Sequence, residues 1–157
     1  MPGVLDLLSP ETILPRAKGG SRKLILSELS GVLSLRIGAD ASDILTRVLD
    51  RERMGSTGVG EGVAIPHARI PGLDRIVAGF ARLEEPADFD AIDGHACDLI
   101  FMILAPDDVS GDHLRALAKV SRLMRQESVR KALRAARSVD AVIAALSPPD
   151  NPESDAA

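Results

Sequence analysis

Four glycines, Gly55, Gly58, Gly60 and Gly62, fall within eight residues of a single run, RERMGSTGVGEGVAIPH, from Arg51 to His67. Only glycine takes positive φ freely, so this density implies backbone that turns sharply or comes close to something. Val63, Ala64 and Ile65 read as a short buried strand, ended by Pro66 with its fixed φ and missing N–H. His67 is therefore expected at a strand end, beside a glycine-rich loop, where an imidazole suits a nucleophile. Arg51 is expected in the last turn of the preceding helix, a favourable place for a cation, pointing toward the loop.

Two common meanings of such a loop are excluded by spacing. A P-loop needs GxxxxGK[ST], and the residue after Gly60 is Glu61. A dinucleotide fingerprint needs GxGxxG between a strand and a helix; here the third glycine comes one position early, and the loop runs from a helix into a strand. A metal site would need clustered ligands, and of His67, His95, Cys97 and His113 only His95 and Cys97 lie close together. The zinc-deaminase pattern is absent as well, since no PCxxC follows. Cys97 reads as a small core hydrophobe and His95, next to Gly94, as a turn residue.

The rest of the chain alternates helical and strand patterns. Val4 to Leu8 reads as an amphipathic turn and Thr12 to Leu14 as a short strand. Ser21 is expected to cap a helix to Ile37 that buries Ile25, Leu29, Val32 and Leu33 and stops at Gly38. Asp40 caps the next helix, with Ile44, Leu45, Val48 and Leu49 as its apolar stripe and Met54 near its end. Ile76 to Leu83 reads as a strand broken by Glu84-Glu85-Pro86. Phe89 to Asp93 reads as an edge piece, and Asp98 to Ala105 as the central strand. Asp112 is expected to cap a helix carrying Leu114, Leu117, Val120, Leu123 and Met124; Ser128 and Ser138 cap two shorter ones. This order predicts one α/β domain over residues 1–146, a mixed β-sheet flanked by helices on both faces. The proline-rich acidic end, residues 147–157, is expected to be a disordered tail.

With 157 residues the chain suffices for one domain with a real core, and three Phe with no Trp or Tyr make that core aliphatic. One cysteine, no signal-peptide pattern and no apolar run near the roughly 20 residues of a membrane span predict a soluble, cytoplasmic protein. A net charge of −4 argues against nucleic acid as the main partner. The stretch from Leu114 to Arg137 nevertheless holds eight basic residues and one acidic one. These are either solvated helix faces or a docking face for an acidic partner.

The run Arg51, Glu52, Ser56, Thr57, Gly58, Gly60, Gly62, Ala64, Ile65, Pro66, His67 resembles the active-site signature of the mannitol/fructose class of enzyme IIA phosphocarriers, the EIIA type-2 family of the bacterial phosphotransferase system. The opening LDLLSPETIL, Leu5 to Leu14, resembles its nitrogen-regulatory branch, IIA-Ntr. The resemblance covers roughly Val4 to Leu146. Two departures are Ala68, where many members have glycine, and the longer acidic tail. The resemblance implies that His67 carries a phosphoryl group, that Arg51 assists, and that His113, in the HL pair His113-Leu114, is the second family histidine. It implies an HPr-like carrier (NPr) as donor, charged by an enzyme I from phosphoenolpyruvate. It also implies regulatory targets such as potassium-transport or sensor-kinase proteins.

The residue types suit that chemistry. A neutral imidazole accepts a phosphoryl group near neutral pH. The loose transition state places charge on equatorial oxygens, which a planar guanidinium at Arg51 can meet. Backbone N–H groups from Ser56 through Thr57 to Gly58, with the two hydroxyls, could form an anion nest. A phosphate beside His113 would meet a helix N-terminus. Transfer between two histidines is nearly balanced and needs no metal or nucleotide cofactor. A sugar-specific IIA component, and a non-catalytic interaction module in which His67 is never phosphorylated, remain as alternatives.

Overall fold

The two most apolar stretches pair at the middle of a mixed six-stranded sheet. They are β5 (Val77–Ala87) and β6 (Cys97–Pro106), antiparallel, with Phe80 opposite Phe101 and Ala81 opposite Ile100. The computed structural model describes residues 3–108 and 111–147. At one edge β1 (Ile13–Gly19) runs parallel to β5. On the other side β6 carries β3 (Val63–Ala64) and β4 (His67–Ile70), both parallel to it, and β2 (Gly58–Gly60) folds back antiparallel on β3.

Side chains alternate along β6, and both faces are covered, which is why its sequence is a continuous apolar run. Ile100, Met102 and Leu104 face α2 (Arg22–Ile37) and α3 (Ala41–Met54), where Leu26, Leu29, Leu33, Ile44 and Val48 pack on them. Leu99, Phe101 and Ile103 face α1 (Val4–Leu7), α4 (Asp112–Met124), α5 (Glu127–Ala135) and α6 (Val139–Leu146). This is the single-domain α/β layering expected from the pattern. The caps at Ser21, Asp40 and Ser138 form as well, each side chain accepting a backbone N–H three residues on. Gly38, at φ 72°, ends α2.

Several local expectations are corrected. β1 extends to Gly19 although Pro15 lies within it, because β1 is an edge strand and that N–H is not needed. β5 continues through Glu84-Glu85-Pro86: Glu85 pairs with Gly19, and the proline falls where the register to β6 slips. Phe89 to Asp93 forms no strand. Asp90 has φ 53°, and Phe89 is buried under the guanidinium of Arg22, 5.3 Å from its ring centre. Asp112 is the first residue of α4, capped by Gly111, and binds Arg115 instead. Ser128 lies inside α5. Leu114 is exposed; the buried positions of α4 are Ala116, Val120 and Met124. Apart from Ser147, which ends α6, the acidic tail lies outside the described residues.

The glycine-rich run becomes the β2–β3 hairpin. At its tip Arg134 from α5 donates to the Glu61 carbonyl at 2.5 Å and to Asp98 Oδ2 at 3.0 Å. Gly62, at φ +78°, passes beneath this ion pair: an added Cβ would run into Arg134 Nη2 and lie 2.8 Å from Asp98 Oδ1. Gly62→Ala is therefore expected to lower stability by about 2 kcal/mol, from the left-handed backbone and the displaced pair together. Thermal unfolding of the variant measures it.

Candidate active site

β3 and β4 are two halves of one strand broken at Ile65-Pro66. The ladder to β6 continues across the break, since Ile103 N–H donates to the Pro66 carbonyl at 2.9 Å. His67 thus opens the second half rather than closing the first. Its half-buried ring is held at both nitrogens: Nδ1 lies 2.9 Å from the Ile65 carbonyl, and Arg51 Nε donates to Nε2 at 3.2 Å. A carbonyl can only accept, so Nδ1 carries the proton and the Nε2 lone pair faces Arg51. Arg51 reaches it from the last turn of α3, with its Nη1 donating to the Gly55 carbonyl at 3.0 Å.

His113, from the first turn of α4, meets His67 edge-on, with ring centres 5.5 Å apart. Its Nε2 is buried and has no hydrogen-bond partner among the described residues. A cleft of about 500 Å³ opens here, lined by Arg47, Asp50, Arg51 and Met54 of α3, His67, Ala68 and Arg69 of β4, and His113. The structure therefore brings together the three residues singled out from the sequence, Arg51, His67 and His113. It does not bring Ser56, Thr57 and Gly58 into the cleft. The Ser56 hydroxyl donates to the Phe89 carbonyl, the Gly58 N–H to Ser56 Oγ at 2.9 Å, and the Thr57 hydroxyl to Glu52.

Arg47 and Arg69 were not anticipated. Both follow from periodicity: Arg47 is one helical turn before Arg51, and Arg69, two residues after His67, shares its strand face. Arg69 donates to the Asp108 carbonyl at 2.6 Å, and Arg47 pairs with Asp43 at 3.2 Å. Elsewhere, Cys97 is buried, and that burial pushes its thiol up to about 11, which makes it a poor nucleophile. His95 is exposed, with its N–H bound to Asp93. Among the described residues no group of three or more His, Cys, Asp or Glu is placed to hold a metal. Among the described residues no helix is long and apolar enough to cross a membrane.

Burial holds the His67 imidazole below the ordinary value of 6.5; the Ile65 carbonyl opposes this and the Arg51 charge adds to it. His113 is lowered too, by burial first, then by His67 and Arg69. Both rings are neutral at pH 7. The unfolded rings take up protons near pH 6.5 and the folded ones only at lower pH. The stability they contribute is therefore complete above 6.5 and is lost as pH falls through the folded values. An NMR titration is expected to place both midpoints below 6.5, and a pH series of melting temperatures to decline in that same window.

The chain matches, over residues 6–148, the family model described as phosphoenolpyruvate-dependent sugar phosphotransferase system, EIIA 2. It belongs to the EIIA 2 family. The Nitrogen regulatory protein of Bradyrhizobium diazoefficiens is 42% identical over 146 residues, 93% of this chain and 95% of that one. A fructose-specific EIIABC component of Bacillus subtilis is 34% identical over 142 residues, 89% of this chain but 22% of that longer protein. Among solved structures, IIA-Ntr from Neisseria meningitidis superposes with a TM-score of 0.85 at 35% identity, covering 90% of this chain and 97% of that one. The EIIA 2 family is one of phosphotransferase-system components, so a phosphoryl-carrier role and partners from that system follow for this chain at the level of the family.

Proposed function

We propose that this EIIA 2 protein is a cytoplasmic, nitrogen-regulatory phosphocarrier. It accepts a phosphoryl group on His67 from the phosphohistidine of an HPr-like carrier of the NPr type, itself charged through enzyme I from phosphoenolpyruvate. The observation that carries this reading is the ring geometry: a neutral imidazole whose Nε2 lone pair meets a guanidinium in an open cleft, with its other nitrogen fixed on a carbonyl.

In the transfer, the bond from phosphorus to the donor's ring nitrogen breaks as the His67 Nε2–P bond forms, and the donor ring leaves with its electron pair. The Nδ1 proton stays in place, and the positive charge that develops on the ring is met by the Ile65 carbonyl. Arg51 turns from Nε2 to the phosphoryl oxygens, where its planar donors meet the charge of a loose transition state. His113, through its unpartnered Nε2, supplies one further hydrogen bond near the first turn of α4. Ser56, Thr57 and Gly58 hold the loop rather than the phosphate.

The nitrogen branch is favoured over a sugar-transport component by the higher identity to the Nitrogen regulatory protein over nearly the full length of both chains. Phosphorylation adds nearly two negative charges to a cleft lined by Arg47, Arg51 and Arg69, enough to change which protein docks there. Regulated targets of the potassium-transport or sensor-kinase kind fit that output. The test is intact-mass analysis after incubation with phosphoenolpyruvate and each of two enzyme I–carrier pairs. Faster incorporation of a single group from the nitrogen-branch pair supports the reading. Faster labelling from the sugar-branch pair makes the protein a transport component, and no labelling from either makes it an interaction module.

A further inference from the structure

We propose that Glu52 is a positioning residue for His67, holding the imidazole as its Nδ1–H tautomer through Thr57 and Ile65; for its functional meaning this rests on the phosphocarrier reading. Glu52 is the one acidic residue of α3 that is buried, 7% exposed, and it directly follows Arg51. Its Oε1 accepts the Thr57 hydroxyl. The Thr57 carbonyl then accepts the Ile65 N–H at 2.9 Å, and the Ile65 carbonyl accepts His67 Nδ1–H at 2.9 Å. Two adjacent residues of one helix turn therefore act on the two nitrogens of the ring, Arg51 directly at Nε2 and Glu52 through the loop at Nδ1.

The other carboxylate oxygen, Oε2, has no hydrogen-bond partner among the described residues and lies 3.6 Å from Arg22 Nη1. Arg22 in turn binds the Asp88 carbonyl and, at 2.7 Å, Asp90, while its guanidinium lies over Phe89. The same network thus reaches the loop whose Phe89 carbonyl takes the Ser56 hydroxyl. Burial raises the Glu52 carboxyl above its ordinary value, and the Thr57 hydroxyl, Arg22 and Arg51 draw it back. An ionisable group buried at such a cost, with one oxygen lacking a hydrogen bond, is poorly explained by packing, since a leucine would fill the space. The loop it ties down is the one from which the tautomer of His67 is set. Without that tie the Thr57 and Ile65 carbonyls are free to shift, and the proton of a neutral imidazole can move to Nε2, where it blocks the lone pair needed for attack.

The experiment compares wild type with Glu52→Gln, Glu52→Ala and Thr57→Val, each checked for folding by thermal melt. Two readouts are taken: the ring-nitrogen resonances of His67 in long-range ¹H–¹⁵N spectra, and the rate of phosphoryl acceptance. Wild type is expected to show Nε2 unprotonated. Glu52→Gln keeps an oxygen acceptor for Thr57 and is expected to keep the tautomer and the rate. Glu52→Ala and Thr57→Val are expected to give a tautomer mixture and transfer about 10-fold slower, the loss typical when a partner orienting a functional histidine is removed. Folded Glu52→Ala or Thr57→Val protein with the wild-type ring spectrum and rate overturns the proposal, as does a wild-type ring that is already mixed. If Glu52→Ala fails to fold, Thr57→Val decides, because it leaves the carboxylate and the Thr57 carbonyl in place. Should no carrier phosphorylate the wild type, the phosphocarrier reading fails, while the ring spectra still decide whether Glu52 positions His67.

Discussion

His67→Ala is expected to abolish phosphoryl acceptance completely while leaving a folded protein. The variant removes the ring nitrogen whose lone pair meets the Arg51 guanidinium in the cleft. His113 is not expected to substitute, because its Nε2 is buried and has no hydrogen-bond partner among the described residues, whereas that of His67 receives the Arg51 Nε–H. The cost to stability is small. The His67 ring is half-buried, is bound by one carbonyl and one arginine, and is held neutral by its surroundings, so its loss is expected to cost about 1 kcal/mol. Circular dichroism and a melting curve, run beside the labelling assay, separate loss of chemistry from loss of fold. A labelled His67→Ala protein would move the acceptor elsewhere.

The second large effect is at Arg51. Arg51→Gln is expected to slow phosphoryl acceptance by about 10² to 10³, the range seen when one preorganised donor to developing charge is removed. The loss belongs in the rate of transfer and not in carrier affinity, since the guanidinium is needed where charge accumulates on the phosphoryl oxygens. Arg51→Lys restores the charge without the planar fork and is expected to recover only part of the rate. Both variants lose the bond to the Gly55 carbonyl, so a melting curve must again accompany the kinetics. Equal rates for wild type and Arg51→Gln in a single-turnover assay would remove Arg51 from the chemistry.

The fold and the core of the site were legible in the sequence for different reasons. The helices announced themselves through their caps, Ser21, Asp40 and Ser138, and through apolar stripes such as Ile44 and Val48. The central strand was legible because both faces of β6 are buried, leaving no polar position in Leu99 to Ala105. Edge behaviour was harder to read. The first strand was expected to stop at Leu14 and the next to break at Glu84-Glu85-Pro86, yet Pro15 and Pro86 each sit where a ladder N–H is not required, which depends on neighbours far along the chain. Phe89 looked like strand but is an anchor beneath Arg22, a contact across 67 residues of sequence.

At the site, the glycine density and Pro66 pointed to His67, while Arg51 was marked by its place in the last turn of its helix and by the family resemblance; the structure brings Arg51 Nε to 3.2 Å from His67 Nε2. Ser56 and Thr57 were expected to line an anion nest, whereas their hydroxyls donate to the Phe89 carbonyl and to Glu52; a hydroxyl in a glycine loop reads the same whether it faces a ligand or a buried partner. Only the fold reveals Glu52 beneath Thr57. The basic residues from Leu114 to Arg137 were likewise ambiguous. Several prove to be structural: Arg130 binds the carbonyls of Met124 and Arg125 at the end of α4, and Arg134 pins the hairpin tip.

The most direct measurement is ³¹P and ¹⁵N NMR of the phosphorylated protein, to identify which ring nitrogen carries the phosphoryl group. The expected result is one group, bonded to Nε2 of His67, with Nδ1 still protonated on the Ile65 carbonyl. Linkage through Nδ1, a phosphoryl group on His95 or His113, or no incorporation from any phosphohistidine carrier would contradict the assignment of His67 Nε2 as the acceptor.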